Sequence, residues 1–520
     1  MAALNEREQW ATRVGLVLAM AGNAVGLGNF LRFPVQAAQN GGGAFMIPYF
    51  ISFLLLGIPL MWVEWAIGRY GGRFNHSSTP GMFDKLWKSR VSKYIGALGL
   101  FMPLTIIVYY TYVESWSLGY ALFTADGSYW GKGGFETMKS FLAGYQGIEA
   151  NSFFSGLGWA YVLFIITLAI NIWILSKGVS GGIEVVARYA LPALFIFAGI
   201  LVIRVLTLGA PDPAQPDFSV NAGMGFVWNP QFDQLSDPKI WLAAAGQIFF
   251  TLSLGMGTIH CYASYLSDKD DIALTGLATS ATNEFAEVVL GGTLAIPAAV
   301  AFFGLERTRQ LAQNAYDLAF AVMPTLFQQI PLGQLFGALW FALLFIAGIT
   351  SSLAMGQPLM AFLQEEFHMT RNKAAVVLGV VIFVLSQPVI LFMPSFMNEF
   401  DFWAGTFGLV ILATLELVIF AWIFGIRKGW EEITLSSDIK VPRVFRFIIT
   451  WVTPGLLLII LASYFYQTLP GVLAMNGVSE DQVPYVLTAR LLMVAMFIGL
   501  CGLVYWAWKR NGQMSAEAGS

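Results

Sequence analysis

Uncharged apolar stretches recur along nearly the whole of this chain, and they constrain its fold more than any other feature. Each runs for about 20 residues or more, enough for a helix to cross a hydrocarbon core of roughly 30 Å. The charge content fits no aqueous surface. Of the 520 residues 57% are hydrophobic and 11% charged, with a mean hydropathy of +0.67, where soluble domains carry roughly 25% charged residues. Backbone groups in lipid are satisfied only in helices or closed barrels, and these runs are continuous rather than alternating. The chain is therefore read as an all-α integral membrane protein in contact with membrane lipid. Its net charge of −3 is spread without a basic tail or acidic block, so no nucleic-acid partner is expected. Cys261 and Cys501 lie in or near apolar runs and imply no disulfide framework. The polar opening MAALNEREQW leads into a glycine-rich span with no small-residue cleavage site, so no removable signal peptide is expected.

Twelve spans are read, at 14–37, 43–70, 94–123, 157–176, 184–208, 239–266, 271–304, 333–364, 373–393, 399–425, 445–468 and 484–508. Arg69, Arg73, Lys85, Lys88, Arg90 and Lys93 sit between the second and third, whereas 209–238 holds Asp212, Asp217, Asp233 and Asp237 without lysine or arginine. The positive-inside rule then places both termini in the cytoplasm, in agreement with Lys509 and Arg510 after the last span. Two spans share an oddity. The first contains GNAVGLG (22–28) and the sixth SLGMG (253–257), clustering glycine mid-membrane where it costs about 1 kcal/mol per helical position. Both helices are expected to break there. Five spans separate the breaks, so two five-helix blocks would run through the membrane in opposite directions, and matched broken helices point to a transporter's binding site near the bilayer midplane. The division is 1–210 for one repeat, 236–430 for its inverted partner, and 431–520 for two accessory helices with a cytoplasmic end.

The run WATRVGLVLAMAGNAVGLGNFLRFP (10–34) resembles the first helix of the neurotransmitter:sodium symporter family. Further matches are NGGGAFMIPY (40–49), YYTYVESW (109–116), GQIFFTLSLG (246–255), NEFAE (283–287), AGITSS (347–352) and DFWAGT (401–406), in order and at family-like spacing from residue 8 to about 430. The resemblance implies a twelve-helix, LeuT-like five-plus-five inverted repeat. It also implies a bacterial inner-membrane symporter carrying a small-molecule amino acid with two sodium ions by alternating access. A homodimer is left open.

A broken helix exposes amides at one half and carbonyls at the other, which suits a zwitterion and a hard cation together. By the resemblance, the substrate carboxylate meets amides near Ala24 and Gly26, the Tyr110 hydroxyl and the first sodium ion. The amino group meets carbonyls of Ala24, Phe250 and Thr251 and the Ser253 hydroxyl, with Asn23 and Ser351 completing the set. The first sodium site would comprise Ala24, Asn29, Thr251 and Asn283, and the second Gly22, Val25, Ala347, Thr350 and Ser351. Plainer readings exist for each. A Thr-Ser pair in a membrane helix often bonds back to its own carbonyls, buried asparagines often join helices, and Tyr110 and Phe250 could be ordinary packing rather than a lid. The pocket for the substrate side chain would be formed by Val25, Ile106, Phe250, Ser253, Met256, Ala354 and Met355. The leucine-transporting bacterial member has valine, phenylalanine and isoleucine where Ile106, Met256 and Met355 stand. Flexible methionines with no countercharge imply small to medium hydrophobic amino acids.

The family's gates map onto Arg32 and Asp401 outside, above Tyr110 and Phe250, and onto Arg7 and Glu365 inside, with Trp10, Ser264, Tyr265 and Gln357 around them. Glu365 stands where an aspartate is usual, which leaves Glu366 as another partner. Carboxylates at membrane depth are functional suspects. Of these, Glu64 and Glu114 are read as structural anchors, and Glu287 as an ionised group replacing the chloride that animal members hold with a tyrosine, a glutamine, two serines and an asparagine. The matching positions include Tyr49, Gln247, Thr251 and Asn283. His260, read without an acidic cluster near it, is expected to be a packed helix residue rather than a metal ligand. A membrane enzyme is disfavoured, since no H-E-x-x-H zinc helix is present. An amino acid sensor or a channel on the same fold remains the alternative to a carrier.

Overall fold

Apolar runs that contain few caps grow into long helices, and the computed structural model describes them over residues 8–518, with side chains to residue 511. Among the described residues, ten continuous helices are long and apolar enough to cross a bilayer, and one bent pair makes an eleventh. The pair is α1 (Arg13–Ala24) and α2 (Leu27–Gln39), bent by 43°. Then follow α3 (Gly43–Gly72), α4 (Ser92–Ala125), α5 (Gly158–Ser176) and α6 (Val179–Leu206). The expected sixth span consists of two helices, α7 (Pro238–Thr251) and α8 (Thr258–Ser264), with 14 and 7 residues. Neither reaches across alone, so twelve crossings remains the sequence reading. The series ends with α9 (Ile272–Phe303), α10 (Gly333–Phe367), α11 (Arg371–Leu391), α12 (Met393–Thr434), α13 (Val444–Leu473) and α14 (Val483–Asn511). No strand occurs among the described residues.

Local chemistry sets where the broken elements start. Thr12 caps α1 by accepting from the Gly15 amide at 2.9 Å, and the Glu184 carboxylate of α6 accepts from the Ala11 and Thr12 amides at 2.7 and 3.1 Å. That negative charge faces the positive end of the helix dipole. α7 starts at Pro238, and Asp237 caps it through the Lys239 amide at 2.9 Å.

The broken helices lie inside the others. α1 packs on α6, α9 and α10; α2 on α9; α7 and α8 on α3; and α4 lies along α10. The outer face is apolar, with Ile196, Ile203, Trp451, Ile459, Leu491 and Ile498 exposed on α6, α13 and α14. Exposed side chains of this kind on long helices face lipid.

The second break depends on backbone that only glycine adopts freely. Gly255 and Gly257 have φ of 68° and 86°. A Cβ on Gly255 would lie 2.1 Å from the Leu409 carbonyl oxygen, and one on Gly257 would lie 2.4 Å from that of Gly99. Left-handed backbone costs a residue with a side chain about 1–2 kcal/mol before any clash. Gly255→Ala is therefore expected to lower the thermal denaturation midpoint of the detergent-solubilised protein by several degrees. An unchanged midpoint would show that this segment is not held as described.

Candidate functional site

The two breaks face each other. After Ala24 the chain turns extended at Gly26, whose amide donates to Asn29 Oδ1 at 2.8 Å, while the Leu27 amide donates to the Tyr110 hydroxyl at 3.1 Å. Ser253, in left-handed backbone at φ 56°, donates its hydroxyl to the Asn23 carbonyl at 3.2 Å. Ser351 of α10 reaches the carbonyls of Gly22 and Asn23 at 3.5 and 3.3 Å. Gly26 leaves room for this approach, because a Cβ there would lie 2.5 Å from Ser351 Oγ.

Between the breaks lies a cavity of about 30 Å³ lined by Asn23, Ala24, Gly26, Gly28, Asn29, Ile106, Tyr110, Phe250, Thr251, Ser253, Met256, Ser351 and Met355. Val25 and Ala354, expected at this site, are buried but do not line it, and Gly28 and Asn29 do. No charged side chain is in the lining. Tyr110, Phe250 and Gly28 also border a wider vestibule of about 710 Å³, so the two rings separate the spaces. The Phe250 ring lies against Gly28, where a Cβ would come within 2.6 Å of it, and the Arg32 guanidinium sits 4.3 Å from the ring centroid. This is cation–π geometry.

The oxygen-rich side chains assigned to the first ion site converge. The Asn29 side-chain amide donates to Asn283 Oδ1 at 2.8 Å and Thr251 Oγ1 at 3.2 Å, and the Asn283 amide donates to Thr251 Oγ1 at 2.9 Å. One turn further on α9, Glu287 accepts from Tyr49 at 2.9 Å, from Gln247 at 3.0 Å and from the Thr251 hydroxyl. Asn29, Asn283 and Glu287 are fully buried. At the second set, Thr350 turns its hydroxyl back to Ile346 and Ala347 of its own helix at 3.2 and 3.1 Å, and only Ser351 crosses to α1. Thr350 nonetheless packs on Gly22, where a Cβ would lie 3.1 Å away.

The gate residues fall on opposite sides of the cavity. Arg32 and Asp401 both line the vestibule without a direct ion pair among the described residues: Arg32 donates to Thr406 at 3.3 Å and Asp401 accepts from Tyr109 at 2.8 Å. The other side is packed shut. The Trp10 indole donates to the Tyr262 carbonyl at 3.1 Å, Gln357 donates to the Tyr265 hydroxyl at 2.7 Å, and Ser264 donates to the Cys261 carbonyl at 2.6 Å. Arg371 joins Gln357 at 3.1 Å and Glu8 at 2.5 Å, a contact the sequence reading missed. Glu365 accepts from the Ser77 amide at 2.8 Å, and Glu366 from Asn511 at 2.9 Å. Arg7 lies outside the described residues, so its pairing with Glu365 does too.

Glu64 accepts from the Gly255 amide at 2.7 Å, and Glu114 accepts from Asn171 at 3.1 and 3.2 Å. The expectation for His260 needs correcting. Acidic groups do surround it: Glu64 Oε2 lies 3.3 Å from Nδ1 and Glu416 Oε2 lies 3.4 Å from Nε2. Glu416 went unread because it is distant in sequence, although a lone carboxylate in the apolar run LVILATLELVIF (409–420) carries the same membrane-depth signal as Glu64.

Comparison with known proteins identifies the family and the fold. The profile of the Sodium:neurotransmitter symporter family matches residues 7–132 and 138–505. An uncharacterized sodium-dependent transporter of Methanocaldococcus jannaschii is 30% identical over 505 residues, covering 95% of this chain and 96% of its own. An uncharacterized sodium-dependent transporter of Haemophilus influenzae is 29% identical, covering 88% of this chain and 98% of its own. The crystal structure of MhsT in complex with L-phenylalanine superposes with a TM-score of 0.75 at 29% identity, covering 88% of this chain and all of that one. Ten to eleven apolar crossings, two facing helix breaks and an end-to-end family match lead to one conclusion: this chain is a membrane transporter, not an enzyme, and belongs to the Sodium:neurotransmitter symporter family.

Proposed function

We propose that the protein is a sodium-coupled symporter that imports a small to medium hydrophobic amino acid by alternating access, with two sodium ions and without chloride. One observation carries the reading: a cavity without charged side chains lies between the two helix breaks and adjoins the buried Asn29–Thr251–Asn283–Glu287 cluster. Broken-helix amides and carbonyls then serve the zwitterion's two charges, and hard oxygens serve the cation. Ala24, Asn29, Thr251 and Asn283 would hold the first ion, and Gly22, Val25, Ala347, Thr350 and Ser351 the second, once the Thr350 hydroxyl rotates away from its own helix. Ile106, Met256 and Met355 favour an apolar side chain, and the cavity of about 30 Å³ admits one as the flexible methionines and the Tyr110–Phe250 lid move apart. The repeats at 1–210 and 236–430 rock around this centre, in a bacterial inner membrane with both termini cytoplasmic. The vestibule side opens outward and is closed by Tyr110, Phe250 and the Arg32–Asp401 pair. The inner side is closed by Trp10, Tyr265, Gln357 and Glu365.

Two sodium ions and a zwitterion leave about two uncompensated positive charges in a low-dielectric site, where a nearby anion is worth several kcal/mol. Glu287 supplies that anion at the place of chloride and exchanges protons as the empty carrier returns. Its three hydrogen-bond donors suit an ionised carboxylate.

In proteoliposomes, uptake is expected to be indifferent to replacing chloride with gluconate, while Glu287→Ser becomes chloride-dependent; wild-type transport that stops without chloride would refute the assignment. Counterflow of labelled against unlabelled amino acid separates a carrier from a sensor or channel, which would bind or conduct without exchange. Asn29→Ala removes a ligand worth about 1.5–3 kcal/mol, so its sodium requirement is expected to rise roughly ten- to hundredfold. An unchanged sodium dependence would contradict the first ion site.

A further inference from the structure

The described residues contain a second buried charged cluster, apart from the cavity. His260 on α8 is fully buried and lies between Glu64 of α3 and Glu416 of α12, both also fully buried. None of the three carboxylate oxygens other than the one held by Gly255 has an aligned hydrogen bond, nor does either ring nitrogen. Buried polar atoms left in this way call for a ligand. Their geometry selects it. One atom from each of the three residues lies within 4.8 Å of the others, near enough for a metal ion, but each imidazole nitrogen already has a carboxylate oxygen of its own at 3.3 or 3.4 Å, an arrangement for shared protons.

We propose that Glu64, His260 and Glu416 form a proton-binding site that ties α8 to α3 and α12 and holds the inner half of the broken helix closed. Three facts connect it to movement. Glu64 also holds the Gly255 amide, in the glycine segment that joins α7 to α8. α8 carries Tyr262 and Tyr265, on which Trp10 packs at the inner closure, with ring centroids 5.2 and 6.5 Å away. Gly68 of α3 lets α8 approach, since a Cβ there would lie 2.4 Å from the His260 carbonyl oxygen. Among the described residues the charged groups paired with the imidazole are Glu64 from α3 and Glu416 from α12, the Phe83 ring of the helix at Thr79–Leu86 lies edge-on to it, and α1 and α10 also pack on α8. Bound protons sit on the buried carboxyls: one carboxyl donates to the imidazole nitrogen that lacks a hydrogen, the imidazole N–H donates to the other, and the three helices are drawn together. With protons lost, two like charges face each other in low dielectric and push them apart. Acid on the inner side therefore favours the closed inner half and slows turnover.

The test is sodium-driven amino acid uptake into proteoliposomes at fixed outer pH, with lumenal pH set between about 5.5 and 8.5, a range in which a buried carboxyl gives up its proton. One linked proton changes the rate by at most about tenfold per pH unit. Wild-type uptake is expected to fall severalfold as the lumen is acidified, and His260→Gln and Glu416→Gln to flatten that profile while retaining sodium-dependent amino acid binding. Because Glu287 is also proposed to exchange protons, the series is repeated with Glu287→Ser in chloride, where the dependence on lumenal pH is expected to persist. A flat wild-type profile, a His260→Gln profile like the wild type's, or a dependence that vanishes with Glu287→Ser would overturn the proposal. Zinc inhibition of the wild type at every pH that is absent from His260→Gln would assign a metal site instead and overturn it equally.

Discussion

Breaking a helix inside a membrane leaves amides and carbonyls that water cannot reach, and finding partners for them is the constraint around which this protein is arranged. At the first break the Gly26 and Leu27 amides go to Asn29 and Tyr110. At the second, the Gly255 amide goes to Glu64, and Ser253 and Ser351 approach the carbonyls of the opposite helix. Apart from Asn29, which caps its own helix, these partners bring in neighbouring elements, so α3, α4 and α10 are fixed in position by the breaks they serve. The same groups are the ones the proposed zwitterion and cation would use.

Glycine makes that arrangement sterically possible. Gly26 admits Ser351, Gly28 admits the Phe250 ring, and Gly255 admits the Leu409 carbonyl. Buried carboxylates then hold the pieces. Glu287 gathers Tyr49 from α3 and Gln247 and Thr251 from α7 on one side of the break, while Glu64, His260 and Glu416 join three helices on the other. Wide access from the vestibule and a packed opposite side describe a conformation open toward one face, with Tyr110 and Phe250 between the vestibule and the cavity.

The long helices were legible because a lipid solvent demands long apolar runs, and their bounds follow from where those runs stop. Helix α10, read at 333–364, extends to Gly333–Phe367. The breaks were legible from glycine clusters, and most of the cavity lining followed from the family motifs. Features that depend on side-chain direction were not. The Thr350 hydroxyl could turn either way, and it bonds back to its own helix. Val25 lies in the break, buried, yet does not line the cavity. Contacts between residues distant in sequence were equally hidden, as for His260 and Glu416, 156 positions apart by subtraction of their numbers, and for Arg371 with Glu8.

The central claim is that sodium and a hydrophobic amino acid occupy one shared site between the two breaks. Thermal denaturation of the purified protein with each of the twenty amino acids, in sodium and in potassium, tests it directly. A ligand present at 100 times its Kd adds about 2.7 kcal/mol to stability, so hydrophobic amino acids are expected to raise the midpoint clearly in sodium, with no effect in potassium and none from glutamate or lysine. Equal stabilisation in potassium, or a shift produced by charged amino acids, would contradict the account.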